Sequence, residues 1–147
     1  MRYETPADLA AEEEISAFVA EVFGLDRVPK LPLCYILDRV AIRAAKGITC
    51  FFEVKDRKGL AFGTDDGLYL SLYKVLKARN ILAETGVPCR LVVRFAGGDV
   101  YWCDLADYDR VRGLFWFGRS DRDEDEPCVT FPWRVFKKVV GKEVAAA

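Results

Sequence analysis

Tyr35-Ile36-Leu37-Asp38 and, after a turn, Glu53-Val54-Lys55 are the two stretches that decide how this chain folds. Between them, Val40-Ala41-Ile42 and Ile48-Thr49-Cys50-Phe51-Phe52 flank Ala44-Ala45-Lys46-Gly47. Apolar runs on either side of a Gly-containing break predict a hairpin, with Gly47 supplying the positive φ that short loops need. Successive side chains of a strand alternate between its faces, so Asp38 shares a face with Ile36, Val40 and Ile42. Glu53 and Lys55 share theirs with Phe51. Both faces are apolar and predict burial. A buried charge is costly unless it is paired or bound to a metal, so three of them on one hairpin need an explanation.

Folding at Gly47 brings the Asp38 region beside Glu53. Hard oxygen ligands on adjacent strands suit Mg²⁺ or Mn²⁺. A lysine next to them is suited to neutralise charge developing on a phosphate or to position a water. The same residues also fit a structural ion pair between Asp38 and Lys55.

Upstream, Thr5-Pro6-Ala7-Asp8 opens a helix with Thr5 as N-cap, Pro6 at the first position and Asp8 at N3. The helix runs to Phe23 and is closed by Gly24. Leu9, Ile15, Phe18, Val19, Val22 and Phe23 form its apolar stripe. Glu12 falls beside that stripe, whereas Glu13 and Glu14 point away. A partly exposed glutamate on the helix flank is the alternative reading of Glu12. Downstream, Leu60-Ala61-Phe62 reads as a short edge segment. Thr64-Asp65-Asp66 then caps a second helix reaching Glu84, closed by Gly86 and Pro88. Its apolar face is Leu68, Leu72, Val75, Ala78 and Leu82, with Ser71 and Lys74 on the edge one turn apart. Lys74 fits either a site-facing or a solvated lysine. Strands follow near 89–96 and 99–105. Gly113 to Arg119 is aromatic enough to pack against the sheet. Asp121 to Glu126 is an acid-rich run without calcium-loop spacing and reads as a solvated loop. Cys128-Val129-Thr130-Phe131 reads as a last strand. Pro132 and Trp133 start a short basic helix with Arg134, Lys137 and Lys138, and Ala145-Ala146-Ala147 is a frayed tail.

With Asp38 and Glu53-Val54-Lys55 set in that order of elements, residues 5–105 resemble the PD-(D/E)XK nuclease superfamily. Leu37 stands where the superfamily's name has proline. The resemblance implies an α/β domain with a restriction-endonuclease-like core, a mixed central sheet flanked by helices in the order α-β-β-β-α-β. It implies an endonuclease that hydrolyses nucleic-acid phosphodiesters with Mg²⁺ (or Mn²⁺). Asp38, Glu53 and Val54 are then the metal ligands, and Lys55 acts beside them. Glu12 on the first helix and Lys74 on the second join the catalytic set. Arg57, Lys58 and Ser71 are placed toward the nucleic acid. DNA is the implied partner and RNA the alternative. A homodimer follows if two strands are to be cut. A fold does not fix a function, so a non-catalytic structural, assembly or nucleic-acid-binding subunit, for example of a phage, is the competing expectation.

Composition sets the limits. The chain has 147 residues, 52% hydrophobic and 31% charged, which fits one globular domain over 1–147 with a substantial core. No apolar run is long enough to span a membrane, and the first residues lack a signal-peptide core. These features predict a cytoplasmic protein, or a virion component if phage-encoded, with no membrane partner. The cysteine count is five, an odd number, without a C-x-x-C pair; they read as reduced core thiols, not a zinc site. Histidine is absent, which excludes Ser-His-Asp and Cys-His catalysis and the usual zinc hydrolases. Metal-assisted phosphodiester hydrolysis needs no imidazole. Gly97-Gly98 is a hairpin turn, not a phosphate loop. The net charge is −1, yet Lys and Arg outnumber Asp and Glu between residues 30 and 90. The acidic excess lies in the first 26 residues and in Asp121–Glu126. Mixed surface charge of this kind is also ordinary for a soluble protein.

Overall fold

The computed structural model describes residues 4–32, 37–106, 112–118 and 125–140. Cys34, Ile36, Asp121 to Glu124 and the alanine tail lie outside the described residues, so the expectations for them have no counterpart below. The hairpin forms as expected. β1 (Arg39–Arg43) runs antiparallel to β2 (Gly47–Arg57), with Arg39 opposite Phe52, Val40 opposite Phe51, and a bulge after Ala41. Gly47 makes the turn at φ 72°.

β2 outlasts the hairpin and pairs in parallel with β4 (Cys89–Phe95). A parallel pair needs a crossover, and the segment containing α2 (Leu72–Thr85) supplies it. β4 continues antiparallel into β5 (Val100–Asp104), and a two-residue strand, β8 (Lys137–Lys138), closes the far edge. The sheet order β1-β2-β4-β5-β8 is mixed and five-stranded, and β2 lies inside it with a neighbour on each side.

One helix covers each face. α1 (Pro6–Phe23) starts as the sequence dictates: the Thr5 hydroxyl accepts from Asp8 N–H, and the Asp8 carboxylate accepts from Thr5 N–H. Ile15, Val19, Val22 and Phe23 bury with Ala41, Cys50, Phe52, Val54, Val92 and Trp102. Ile15 and Val19, fully enclosed, each contribute roughly 1.5–3 kcal/mol. The stripe is narrower than predicted, because Leu9 and Phe18 are exposed. On the other face, Val75 and Ala78 of α2 join Leu91, Val93, Phe95 and Leu105 in a second core.

A second sheet of order β3-β7-β6 corrects three expectations. It is built from β3 (Leu68–Ser71), β7 (Glu126–Phe131) and β6 (Arg112–Phe117), all antiparallel. Thr64-Asp65-Asp66 does not cap the second helix, which starts at Leu72. Leu68 and Leu70 are buried and Tyr69 is exposed, a strand alternation that pairing with β7 rewards. Gly67 allows the approach: a Cβ there would lie 2.2 Å from the Phe131 carbonyl oxygen. Tertiary pairing thus overrides the local helix signal. Leu68 therefore leaves the helix face, and Leu82 is exposed. The third strand is Leu68–Ser71, not Leu60–Phe62, and it belongs to the second sheet. Phe62 instead stacks on Tyr101 with ring centroids 3.9 Å apart.

Two C-terminal expectations also change. β6 pairs with β7, yet Leu114 is 66% and Trp116 68% exposed rather than packed. Pro132 opens only a 3₁₀ turn over Trp133–Val135, after which Lys137 and Lys138 enter the sheet. Cys50, Cys89, Cys103 and Cys128 are buried thiols outside any disulfide. Burial pushes Cys50 up to about 12 and Cys89 up to about 11, which keeps both protonated and unreactive. Among the described residues, no helix is long and apolar enough to cross a membrane.

Candidate active site

Position on an interior strand makes Glu53 unusual. Alternation along β2 turns Phe52 and Val54 toward α1, and Glu53 and Lys55 toward α2. Glu53 is 0% exposed. The Lys55 ammonium lies 2.5 Å from its Oε1, and Lys74 Nζ donates to Oε2 at 2.5 Å. Because α2 begins at Leu72, Lys74 stands in its first turn, where it reaches down to β2. Burial lowers the Lys74 pKa, against the pull of Glu53 and Asp38 and with the push of Lys55. One ammonium therefore senses both carboxylates.

Asp38 reaches the same place from the start of β1. Its N–H donates to Phe52 O at 3.0 Å, and its carbonyl accepts from Leu31 N–H at 2.8 Å. Its Oδ2 accepts from Val54 N–H at 2.9 Å, beside Glu53 on the neighbouring strand. The structure thus brings Asp38, Glu53, Lys55 and Lys74 together, with the Val54 backbone between the two acids.

Glu12 has a different setting. It lies on the inner side of α1, while Glu13 is 69% exposed, as the helical phase predicts. Both Glu12 oxygens accept from Lys30 Nζ at 2.9 Å, and Oε1 also accepts from Arg39 Nε at 2.8 Å. Glu4, Glu12 and Asp38 place carboxylate oxygens within 4.8 Å of one another. By distance alone this trio is a group of three acids able to hold a cation among the described residues. Donor chemistry favours a different pair. Glu12 is already engaged by an ammonium and a guanidinium. Glu53 Oε1 is buried without a hydrogen bond, since Lys55 is near it but not aligned for one. A buried carboxylate with one oxygen outside any hydrogen bond suits a divalent cation better than one that already accepts three across its two oxygens. Asp38 and Glu53 therefore fit such an ion, with hard oxygen donors and lysines at hand.

Arg57 and Lys58 are exposed at the end of β2, with Lys58 3.6 Å from Asp56. Ser71 corrects its predicted place: it is the last residue of β3 and the N-cap of α2, and makes no side-chain cap bond. It leads into the helix that carries Lys74.

Sequence reading missed the cations that hold Glu12. Arg39 was legible in principle. By alternation it shares the α1 face with Ala41, and an arginine on a buried face needs an acid opposite. It also missed Arg94 of β4, whose guanidinium bonds both oxygens of Asp56, at 3.1 and 3.0 Å, and Glu14 at 2.9 Å. Partial burial alone would raise the Asp56 carboxyl, but the bonds and charge of Arg94 outweigh it and hold it below the ordinary range.

Residues 1–139 match the model of a family described as "Phage putative PDDEXK endonuclease". The chain belongs to this family. Among solved structures it is similar to Hjc, a Holliday junction resolvase from the archaeal hyperthermophile Archaeoglobus fulgidus. The match has a TM-score of 0.50 at 15% identity and covers 92% of this chain and 96% of that one. At that identity the likeness shows the fold, which is restriction-endonuclease-like. No curated protein matches the chain.

Proposed function

We propose that this member of the PDDEXK family is a metal-dependent endonuclease that hydrolyses phosphodiester bonds in DNA. The observation that carries this reading is Glu53, fully buried on an interior strand between Lys55 and Lys74, next to Asp38, with one oxygen lacking a hydrogen bond. A packing role would not call for a fully buried carboxylate set between two ammoniums and beside a second acid. Family membership supports the same chemistry.

Asp38 and Glu53 would hold Mg²⁺ or Mn²⁺, with the Val54 carbonyl as a further ligand. When bound, such an ion would supply Lewis acidity and lower the pKa of a water at the site. Val54 N–H fixes the orientation of the Asp38 carboxylate. Lys55 offers its ammonium to the phosphate oxygens, where negative charge grows in the transition state. Lys74, its pKa lowered by burial, orients the water side of the site. Glu12 acts at one remove, through the charges around Asp38. Arg57, Lys58 and Ser71 line the approach and contact neighbouring phosphates. The working form is a homodimer if both strands are cut, in the cytoplasm of an infected cell or carried in a virion.

The test incubates wild type, Asp38→Asn and Lys55→Ala with branched, duplex and single-stranded DNA and with RNA, with and without Mg²⁺. The reading expects Mg²⁺-dependent cleavage by wild type only. A silent wild type across the panel would favour a non-cutting subunit. Equal cleavage by Asp38→Asn would place the activity elsewhere.

A further inference from the structure

Arg39 is the residue whose burial the proposed chemistry leaves unexplained. It is 4% exposed, and burying a guanidinium is costly without a full set of partners. It has that set. Nε donates to Glu12 at 2.8 Å, Nη1 to the Val28 carbonyl at 3.0 Å, and Nη2 lies 2.8 Å from Glu13. These anchors come from α1 and from the segment before β1. The same segment flanks β1 through Val40 N–H to Pro29 O and Leu31 N–H to Asp38 O. Arg39 therefore pins the first residue of β1 to two other elements, and Asp38 is the residue directly before it.

Two consequences follow for Asp38. Its backbone is fixed immediately beside the clamp, so its carboxylate stays in reach of Val54 N–H. Its charge is also separated from a competitor. Glu12 lies within 4.8 Å of Asp38, and the Arg39 fork together with Lys30 draws Glu12 into ion pairs. Lysine cannot replace this fork, because it offers a point charge without a planar set of donors.

We propose that Arg39 is a positioning residue that sets the divalent-cation affinity of the Asp38–Glu53 site by fixing Asp38 and engaging Glu12. This inference rests on the reading of Asp38 and Glu53 as ligands. Groups that orient metal ligands typically change affinity 10–100-fold when altered.

The test titrates Mn²⁺ into wild type, Arg39→Lys and Asp38→Asn by calorimetry, and records melting of each protein without metal. The expected result is an Arg39→Lys dissociation constant weaker by about 10-fold, with a cooperative metal-free transition. A lower melting temperature with an unchanged dissociation constant would make Arg39 merely structural and overturn the proposal. Tighter binding would also overturn it, because the fork would then hold Asp38 away from its best ligand position. No Mn²⁺ binding by wild type, or equal binding by Asp38→Asn, would instead sink the ligand assignment beneath it. Should Arg39→Lys not fold, Glu13→Ala removes one exposed anchor of the same guanidinium. It should weaken Mn²⁺ binding less but in the same direction, and an unchanged constant would count against the proposal.

Discussion

Glu12 and Glu53 are both buried glutamates with cationic partners, one on each face of the central sheet. They differ in how completely they are satisfied. Glu12 takes hydrogen bonds on both oxygens from Lys30 and Arg39. Glu53, the more deeply buried of the two, keeps one oxygen without any. The first arrangement joins α1 to β1 and to the segment before it, and resembles the ion pairs that stabilise many folds. The second sets both oxygens against the ammoniums of Lys55 and Lys74, with the Lys55 contact outside hydrogen-bond alignment. On the proposed reading, this contrast separates scaffold from site more sharply than charge or burial would alone.

The most severe test of the contrast acts on the Glu53 side. Lys55→Ala should cost on the order of 10²–10³ in cleavage rate, the usual loss for one group that stabilises transition-state charge. Cleavage that survives this change would return Lys55 to a structural role.

Glu12 should answer in stability. Glu12→Gln removes the charge that Arg39 and Lys30 share and should destabilise the fold by about 3 kcal/mol, the scale of breaking a buried pair from one side. Glu13→Gln, at an exposed position, should cost less than about 1 kcal/mol. Urea denaturation measures both, and equal losses would erase the distinction between inner and outer positions of α1.

Metal sharpens the comparison from the other direction. At Mn²⁺ concentrations about 100 times the dissociation constant, the native state should gain roughly 2.7 kcal/mol, read as a higher melting temperature. Glu53→Gln should lose this gain. A gain that persists there and vanishes in Glu4→Gln would move the cation to the Glu4, Glu12 and Asp38 trio.

The smallest effect concerns Asp56 and Arg94, a pair that resembles Glu12 in being satisfied. The folded-state pKa of Asp56 is lowered. Its contribution is therefore complete above the unfolded carboxylate pKa and is lost as pH falls through the folded value. Stability measured below about pH 4 should fall less steeply in Asp56→Asn than in wild type. An unchanged acid limb would mean that other carboxylates dominate it.

The sequence by itself determined the features that local chemistry writes into the chain. The capping box fixed the start of α1, Gly47 and its flanking apolar runs fixed the hairpin, and alternation assigned Glu53 and Lys55 to one face. Helical phase separated Glu12 from Glu13 and Glu14. Tertiary structure alone decided what depends on partners distant in sequence. Residues 68–71 carry side chains compatible with a helix, and only pairing with β7, some sixty positions later, makes them a strand. That shift moves the start of α2 to Leu72. The partners of Arg39, at Glu12, Glu13 and Val28, were likewise hidden, because alternation tells which way a side chain points but not what waits there. The unbonded oxygen of Glu53 is of the same kind, since a missing hydrogen bond depends on the angle at which Lys55 approaches and no spacing of residues encodes it.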